Sequence, residues 1–486
     1  MGEAKLLVVA WDGADRITVD TLIERGVLPN LAKLRARGGS GTLASLPGLA
    51  DDASWSSIAT TVEPGIHGRF HHLQPAPDSY RSMSVGRDRM TTPPFWELVA
   101  RAGRRVAVLD IPKSLMGHDR NLRELANWMP HGEDPGGVVS SPFHLARRVA
   151  QRHAGEAPFD CHRLIEPGDV ASFTSSVLKR LRLRAEIALE WLTEESWDLF
   201  LVAFAESHCI GHHCWHLHDA DHPAHDPTLH DTIGDPVAEV YRAQDEALGE
   251  LTDAAGPDAT VVVFSPLGMG PNYSGDRFVD EILRRLDGRP DEAICPAAGS
   301  AEPTSRLWGW AAAFLSPFRN AFDDRAFKDR RYFHLQHDAT SSAVRLNVAG
   351  REPAGVIQPG ADYDSHCETL SEEFLAIRDP ACDRRLVEEV VKVVDRYPGP
   401  FADRFADLLV VWSNRAPITA LASPGIGTIK AGPSPERTGN HRDGGWFVLA
   451  SGDHSALTMP HPCSLVDLGP VIAGLLAVSL PEPESR

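Results

Sequence analysis

The sequence predicts an α/β fold whose central sheet is mostly parallel and is covered by helices on both faces. Short, continuous apolar runs of strand length alternate with helical stretches, a pattern typical of parallel sheets covered on both sides. The length of 486 residues suits one large domain with insertions. Apolar residues make up 42% of the chain, as in an ordinary globular protein.

Each element follows from its own local pattern. The first strand, Lys5–Trp11, is an apolar run that stops at Asp12-Gly13. The later predicted strands are Val106–Asp110, Asp198–Phe204, Ala259–Ser265, Val344–Val348 and Leu408–Trp412. The predicted helices are two stretches divided by the break from Gly26 to Pro29, then Trp55–Thr61, Phe95–Ala102, 142–152, Val177–Leu192, Ile233–Ala254, 363–378 and Leu465–Leu476.

Two stretches interrupt this alternation. Residues 112–185 are polar and irregular, and residues 286–340 carry clusters of Pro, Gly and Arg. We therefore expect one α/β domain over residues 1–486, with insertions at 112–185 and 286–340 that cover the pocket and set its specificity.

The charge of the chain limits its partners. Lys and Arg number 48 and Asp and Glu 67, which gives a net charge of −19. This excess of acid argues against nucleic acid or an anionic membrane surface as the main partner, and leaves a small anionic substrate open. No apolar run reaches the roughly 18 residues of a membrane span, and the beginning of the sequence shows no secretory signal. The seven cysteines form no CxxC pair, which predicts reduced thiols and a cytoplasmic location.

A histidine-rich stretch, ESHCIGHHCWH, follows the predicted strand Asp198–Phe204. His208 and His212 are four residues apart, so on a helix they lie on one face. Imidazoles at that spacing bind a divalent metal ion, for which Zn²⁺ is the preferred choice and Fe²⁺ or Mn²⁺ the alternatives. With the remote His441 of GNHRDGG they predict a metal site. The alternative interpretation, solvated or satisfied histidines, applies better to His213, His218, His222, His225 and His230.

Carboxylates and one amide complete the candidate site, because open α/β sheets bind ligands beyond the carboxyl ends of their strands. Asp12 ends the first strand, but an Asp before Gly often only caps a turn. Asp51 and Asp52 are adjacent and point differently, so we expect one to face the site and the other to cap the next helix. Asn272 is a candidate donor to an anionic substrate, or equally a turn residue. Glu206 is a weaker candidate for a general base.

Several longer stretches, spread over nearly the whole chain, resemble one family. They are VVAWDGAD, VLPNLAKLRARGGSGTL, ASWSSIATTVEPGIHG, VVVFSPLGMGPN, GREPAGVIQPG, YPGPFADRFADLLVVW and LVDLGPVIAGLLAV. The chain resembles the alkaline phosphatase superfamily, in its type I phosphodiesterase/nucleotide pyrophosphatase branch. The resemblance implies two metal ions, commonly Zn²⁺, around a Ser or Thr nucleophile that displaces the leaving group in line and forms a covalent intermediate.

Matched residue by residue, the resemblance is incomplete at the metals and the nucleophile. Asp12 fits a strand-end metal ligand, and His212 and His441 fit the two histidines of the first metal site. His208 stands where the family has an Asp, and Asp51 where it has the Ser or Thr. The S-D-H-G stretch that binds the second metal reads Ser265-Pro266-Leu267-Gly268 here, so both of its side-chain ligands are missing.

These substitutions predict a mononuclear site. Its ligands would be His208, His212 and His441, with Asp51 as fourth ligand, nucleophile or general base. The leading functional prediction is a metal-dependent hydrolase of a phosphate, phosphonate or sulfate ester. The alternative is non-hydrolytic metal chemistry such as group transfer, elimination or rearrangement. A binding protein without catalysis is disfavoured, because a decayed site would not be expected to keep three histidines.

Overall fold

The structure is a computed structural model that describes residues 4–85, 92–113, 116–128, 137–153, 164–289, 327, 329–337, 340–431, 437–452 and 462–481. The predicted insertion at 286–340 lies largely outside the described residues, as do 114–115, 129–136 and 154–163 of the insertion predicted at 112–185. Both insertions stay predictions.

Within these ranges the chain forms nineteen strands. They are β1 Ala4–Trp11, β2 Gly39–Ala44, β3 Leu73–Pro75, β4 Ser82–Ser84, β5 Val106–Leu109, β6 Leu122–Ala126, β7 Val139–Ser141, β8 Trp197–Phe204, β9 Thr260–Ser265, β10 Gly268–Pro271, β11 Tyr332–Leu335, β12 Ser341–Leu346, β13 Val387–Lys392, β14 Leu408–Trp412, β15 Ala420–Ser423, β16 Gly427–Lys430, β17 Gly439–Arg442, β18 Gly445–Ala450 and β19 Cys463–Ser464.

The same ranges hold fourteen α-helices and three short 3-10 helices. The α-helices are α1 Arg16–Glu24, α2 Pro29–Arg37, α3 Asp51–Thr60, α4 Pro64–His67, α5 Phe95–Arg101, α6 Leu145–Arg152, α7 Val170–Glu194, α8 Glu206–His218, α9 Pro227–Ile233, α10 Pro236–Ala255, α11 Val279–Leu286, α12 Ala361–Leu375, α13 Val393–Arg396 and α14 Leu468–Leu475. The 3-10 helices are Pro167–Asp169, Asp276–Phe278 and Leu465–Asp467.

Nine strands form the central sheet, in the order β19-β2-β18-β9-β1-β8-β5-β6-β7. The middle of the sheet is parallel, since β1 pairs in parallel with β8 and β9, and β5 with β8 and β6. Antiparallel pairing enters through β18, which lies between β2 and β9, and through β7 at one edge. The predicted fold class, a mostly parallel sheet in an α/β protein, is confirmed.

Alternate residues of β1 enter two hydrophobic cores on opposite faces of the sheet, as strand geometry requires. Leu7 and Val9 join one core with residues of α7, α8 and α10. Leu6 and Val8 join the other with residues of α3, α5 and α14. Both faces are therefore covered, which explains why β1, β8 and β9 read as continuous apolar runs.

A third core belongs to a smaller, four-stranded antiparallel sheet in the order β11-β12-β14-β13. Val344 on β12, Val410 on β14 and Phe374 on α12 pack together in it. The other face of this second sheet packs against the larger one, because Ala343 on β12 and Leu409 on β14 belong to the core that holds Leu6 and Val8.

Several predicted elements differ from the observed ones. The helix predicted over Ile233–Ala254 begins later, at Pro236, and a separate helix, α9, ends at Ile233. Gly234 lies between them with a φ of 87°, a conformation that ends α9. The Asp235 carboxylate then accepts a hydrogen bond from the Ala238 N–H at 3.1 Å and so caps the start of α10. The helix predicted from Trp55 begins earlier, at Asp51.

Several segments that are distant in the sequence meet at the carboxyl ends of the parallel strands. Strands β1, β8 and β9 run in parallel, so Asp12, helix α8 and the turn that starts at Ser265 follow at the same end. Strand β18 runs the opposite way and enters from that end, immediately after β17. Strand β17 pairs with β10, which follows β9.

Two further observations concern the described part of the chain. None of its helices is both long and apolar enough to cross a membrane. Its five cysteines, Cys209, Cys214, Cys367, Cys382 and Cys463, are free thiols.

Candidate active site

The structure brings together three histidines, hereafter the histidine trio, at the carboxyl ends of the parallel strands. They are His208, His212 and His441. His208 and His212 lie on α8 and His441 lies on β17, and all three are buried. One ring nitrogen of each lies within 4.8 Å of the other two. Nitrogens bound to one ion at about 2.1 Å lie at most about 4.2 Å apart, so the three rings would have to move only slightly to enclose an ion.

Close backbone packing holds the two parts of the trio together. The Nδ1 of His212 lies 2.8 Å from the carbonyl oxygen of Gly439, two residues before His441. Because a carbonyl only accepts, Nδ1 carries the proton and Nε2 is left as the ligand atom. A side chain at Gly439 would place its Cβ 2.1 Å from the carbonyl oxygen of Gly211, so α8 and β17 approach this closely only with glycine there.

Asp12 lies beside the histidine trio, and its carboxylate is suited to bind a cation. Its side chain is fully buried, its Oδ2 is 3.5 Å from Nδ1 of His208, and its Oδ1 accepts a 3.0 Å hydrogen bond from Nε1 of Trp55. Within the described residues no group donates a hydrogen bond to Oδ2. Burial raises the pKa of Asp12 to about 6, and the charge of Asp51 adds to this effect while His208 opposes it. A bound divalent ion would satisfy Oδ2 and favour the carboxylate.

Asp51 and Asp52 both occupy the first turn of α3, whose N-cap is Ala50 without a side-chain cap. The expectation that one of them caps the helix is therefore wrong. They diverge, however, as adjacent residues must. The Asp52 carboxylate accepts from Nη2 of Arg69 and from the backbone N–H of His72, both at 3.0 Å.

Asp51 interacts electrostatically with the histidine trio, and its carboxylate is ionised. Burial opposes that ionisation, but the charge of Lys113, joined by those of His441 and His208 when they are protonated, outweighs burial and the charge of Asp52, and holds the pKa of Asp51 well below its usual value. Of the two adjacent carboxylates, Asp51 is the one whose pKa responds to the trio.

A second group of possible metal ligands, Asp52, His71 and His72, has ligand atoms within 4.8 Å of one another. Two cations already face it, because Arg69 Nη2 is 3.0 Å and Lys113 Nζ 3.6 Å from Oδ1 of Asp52. A divalent ion at that place would be repelled by both. We therefore interpret this group as an ion-pair network rather than a metal site.

The two other predicted candidates have structural partners. The side-chain amide of Asn272 donates to the carbonyl oxygen of Arg437 at 2.9 Å, and its oxygen accepts from Asn440 at 3.2 Å. These contacts brace the strand that carries His441, and its role towards a substrate stays a prediction. Glu206 forms a buried ion pair with Arg184, which gives it a structural contact, and its role as a base stays a prediction.

The five histidines expected to lie outside the metal site, His213, His218, His222, His225 and His230, have other partners. His213 packs against Phe173, with ring centroids 5.2 Å apart. Nδ1 of His218 is 2.8 Å from Asp235 Oδ2. The ring of His222 stacks on Tyr273, and the remaining two bond backbone carbonyls through Nδ1: His225 that of His216 and His230 that of Leu217.

The turn after β9 offers no side-chain ligand, as the sequence indicates. Leu267 is 1% exposed. The hydroxyl of Ser265 accepts from the N–H of Ala14 at 3.0 Å and donates to the carbonyl oxygen of Leu267 at 2.8 Å. These bonds tie the turn to the loop after Asp12, so its role is structural.

Sequence reasoning missed two contributors, Trp55 and Lys113. The sequence indicates no role for Trp55 beyond the start of a predicted helix, yet its indole N–H donates to Asp12. Lys113 lies three residues after Asp110, which follows the end of β5, and its Nζ is 3.8 Å from Oδ2 of Asp51. The available signal was its position beyond the carboxyl end of a central strand.

A cavity of about 340 Å³ adjoins the trio, with His441 in its wall. Its walls come from both sheets and from the loop before α3. They include Asp15, Arg442, Gly48, Leu49, Ser341 and Trp412. Asp15 and Arg442 form an ion pair of 2.6 Å there. This space is adjacent to the candidate metal ligands and large enough for a small organic group.

Comparisons with known proteins agree with the resemblance seen in the sequence. A profile of the family described as type I phosphodiesterase / nucleotide pyrophosphatase matches residues 6–442. No curated protein gives a significant match.

Among solved structures, the fold is similar to phosphonoacetate hydrolase from Sinorhizobium meliloti 1021 in complex with phosphonoacetate, with a TM-score of 0.54 and 15% identity over 99% of this chain and 96% of that one. It is also similar to an inactive form of murine ectonucleotide pyrophosphatase / phosphodiesterase 5 in complex with AMP, with a TM-score of 0.50 and 14% identity over 99% of this chain and 97% of that one. At these identities the similarity shows the fold.

Proposed function

The chain belongs to the type I phosphodiesterase/nucleotide pyrophosphatase family, and on that premise we propose that it is a metal-dependent hydrolase of a phosphate, phosphonate or sulfate ester with a single metal site. The observation that carries the proposal is the convergence of three buried imidazoles from α8 and β17 beside a buried carboxylate. Family membership supports hydrolysis of a phosphoester, and the single three-histidine site is this chain's own feature.

His208, His212 and His441 would hold the ion, with Asp12 at its side. A divalent cation bound there, Zn²⁺ by preference or Fe²⁺ or Mn²⁺, would supply Lewis acidity to an oxygen of the substrate. Three neutral imidazoles leave the site with the full charge of the ion, which suits an anionic substrate. The hydrogen bond from His212 to Gly439 fixes which of its nitrogens is presented.

Of the roles predicted for Asp51, which are fourth ligand, nucleophile and general base, its ionisation disfavours the last. A carboxylate whose pKa lies well below its usual value is a weak proton acceptor near neutral pH, since an efficient base has a pKa near the working pH. Its charge is available under all such conditions to ligate the ion, to attack as a nucleophile or to orient the attacking water. We propose the last of these, because a divalent cation held by the trio would itself make that water more acidic, so a strong base would not be needed.

The cavity next to His441 would take the organic group of the ester. Its mixed lining of apolar and charged side chains, with Leu49 and Trp412 near the Asp15–Arg442 ion pair, suits a small polar organic group rather than a long alkyl chain. A substrate held there would present its anionic end to the trio.

The experiment that tests the proposal is turnover of nitrophenyl esters by protein purified without a histidine tag and loaded with zinc, manganese or iron. We expect nitrophenol release from a phosphodiester, a phosphonate monoester or a sulfate ester. The variant His212→Ala should lose the metal and the activity. The matched control, His222→Ala, removes a histidine of the neighbouring loop and should keep both. Activity that survives the loss of metal would contradict the proposal.

A second candidate function rests on one observation, the carboxylate of Asp51 at the position where the family has a hydroxyl nucleophile. Without that hydroxyl the chain would carry out non-hydrolytic metal chemistry, such as group transfer or elimination, on the same substrates. Metal-loaded protein that binds these esters, releases no product in water and turns over when an alcohol or amine acceptor is added would favour this function.

A further inference from the structure

The ammonium group of Lys113 lies between the two adjacent carboxylates of α3. Its Nζ is 3.8 Å from Oδ2 of Asp51 and 3.6 Å from Oδ1 of Asp52. Both distances exceed those of a hydrogen bond, so the attraction to the carboxylates acts through space. The two carboxylates, which point apart, thus share one cation beside the metal site.

The loop that carries Lys113, residues 110–113, is held at both ends. At its start, Nη2 of Arg184 donates to Oδ2 of Asp110 at 2.9 Å. At its end, Nη1 of Arg69 donates to the carbonyl oxygen of Lys113 at 3.0 Å, while Nη2 of the same Arg69 donates to Asp52 at 3.0 Å. One guanidinium therefore fixes the backbone of Lys113 relative to the helix that carries Asp51.

The backbone is strained at Lys113. Its φ of 52° is a left-handed conformation that residues other than glycine, Asn and Asp rarely adopt. Such conformations persist only where the surroundings impose them, and they concentrate at functional sites. The strain at Lys113 is consistent with a side chain that is required at one particular place.

Of the two cations beside Asp52, Lys113 is the more accessible. Its side chain is 27% exposed, whereas that of Arg69 is 6% exposed. Arg69 is thus committed to its buried partners, and of the two it is Lys113 that a substrate can reach.

We propose that Lys113 is a substrate-binding residue, whose ammonium holds a non-bridging oxygen of the tetrahedral anion while the histidine trio holds the metal ion. This inference rests on the proposed function and adds a protein cation to it. The Lys113 ammonium donates N–H groups to the oxygen and needs no conformational change, because Arg69 and the ion pairs with Asp51 and Asp52 already position it.

The charges of the centre indicate the substrate class. A divalent ion, Lys113 and Arg69 bring four positive charges, and Asp12, Asp51 and Asp52 bring three negative ones. The centre then has one net positive charge, which matches a monoanionic ester such as a phosphodiester, a phosphonate monoester or a sulfate monoester. A dianionic phosphate monoester would leave an excess of negative charge in a largely buried site.

The test compares Lys113→Met and Lys113→Arg with the metal-loaded wild-type protein. For bis(nitrophenyl) phosphate, a monoanion, we expect Lys113→Met to raise KM about tenfold or more, with a smaller change in kcat, as the loss of one charge-assisted contact predicts. Lys113→Arg should recover part of that loss. Metal content should stay the same in both variants, and Lys5→Met, a surface change at Asp198, should behave like the wild type.

Calorimetric titration of the zinc-loaded protein with dimethyl phosphate, which leaves turnover out, separates the two proposals. Binding that weakens about tenfold in Lys113→Met supports the role of Lys113 even if no ester is hydrolysed, in which case the proposed function alone fails. Equal binding by wild type and Lys113→Met overturns the inference. Loss of metal from Lys113→Met also overturns it, because Lys113 would then maintain the metal site rather than bind substrate.

Discussion

The Nδ1 atom of His212 lies 2.8 Å from the carbonyl oxygen of Gly439, and this bond joins the helix that carries two members of the trio to the strand that carries the third. The contact exists because Gly439 has no side chain between the two backbones. The geometry of the proposed metal site is therefore sensitive to a residue that does not bind metal.

Gly439→Ala should lower zinc affinity by about 10- to 100-fold, in the range of other changes to groups that orient metal ligands. An added Cβ would meet the carbonyl oxygen of Gly211 at 2.1 Å, so α8 and β17 must move apart and separate His212 from His441. Competition with a zinc chelator measures the affinity. Gly474→Ala is the control, because a Cβ there meets nothing within 4 Å. Wild-type affinity in Gly439→Ala would refute this account.

Protein purified without a tag should bind one divalent ion per chain tightly. The trio supplies three nitrogen ligands, whereas the turn at Pro266-Leu267 supplies none from its side chains, and high-affinity zinc sites generally need three protein ligands or more. Elemental analysis after dialysis counts the ions. Two tightly held ions per chain would show that the mononuclear interpretation is wrong.

Asp51→Asn should keep the metal and lower turnover by about 100-fold or more. The amide has the shape of the carboxylate without its charge, so it cannot orient or activate the attacking water in the same way. Metal analysis and initial rates on the same preparation give both quantities. If the metal is lost together with activity, Asp51 is instead a ligand, and a trapped covalent intermediate in the wild type would make it the nucleophile.

Stability should fall in acid partly through His67. The N–H of Arg69 donates to Nδ1 of His67 at 3.1 Å, and Nε2 lies 2.9 Å from the hydroxyl of Ser57, so Nδ1 has no room for a proton. Burial, helped by the charge of Arg69, lowers the pKa of His67 to about 3 from an ordinary 6.5.

The sign of this effect follows from proton binding. Between pH 6.5 and about 3 the unfolded chain binds a proton at this position that the folded chain refuses, so the free energy of unfolding decreases as pH falls through that window, by about 3 kcal/mol at pH 4. His67→Gln keeps a donor and an acceptor but does not titrate, and should flatten the pH dependence measured by denaturant unfolding. Parallel curves for the two proteins would contradict the assignment.

Much of the fold could be predicted because its signals are local. The apolar run of β1 and the four-residue spacing of His208 and His212 are each visible within a dozen residues. The start of α3 could not be placed in the same way, because Ala50 stands at its N-cap and has no capping side chain. Gly234-Asp235, conversely, is a readable signal for a break and a new helix start, and it should have divided the helix predicted over this region.

The site was less predictable, because its contacts join distant segments. Asp12 and Trp55 are hydrogen-bonded although they lie 43 residues apart in the sequence. The residues around either one give no sign of this contact. Lys113 has no distinguishing neighbours in a stretch that reads as irregular, and only the sheet brings it to Asp51. His441 could be predicted from its glycine-flanked turn and from the family resemblance, but not from its spacing to the other two histidines.

The space beside His441 has one wall on strands β12 and β14, so two sheets enclose it. The smaller sheet packs one face in a core of its own, through Val344 and Val410, and the other face in a core shared with the larger sheet, through Ala343 and Leu409. Ser341 lies in this wall and carries none of the imidazoles, so a change there would let evolution, or a protein engineer, retune which molecule is accepted while the reactive end is left intact.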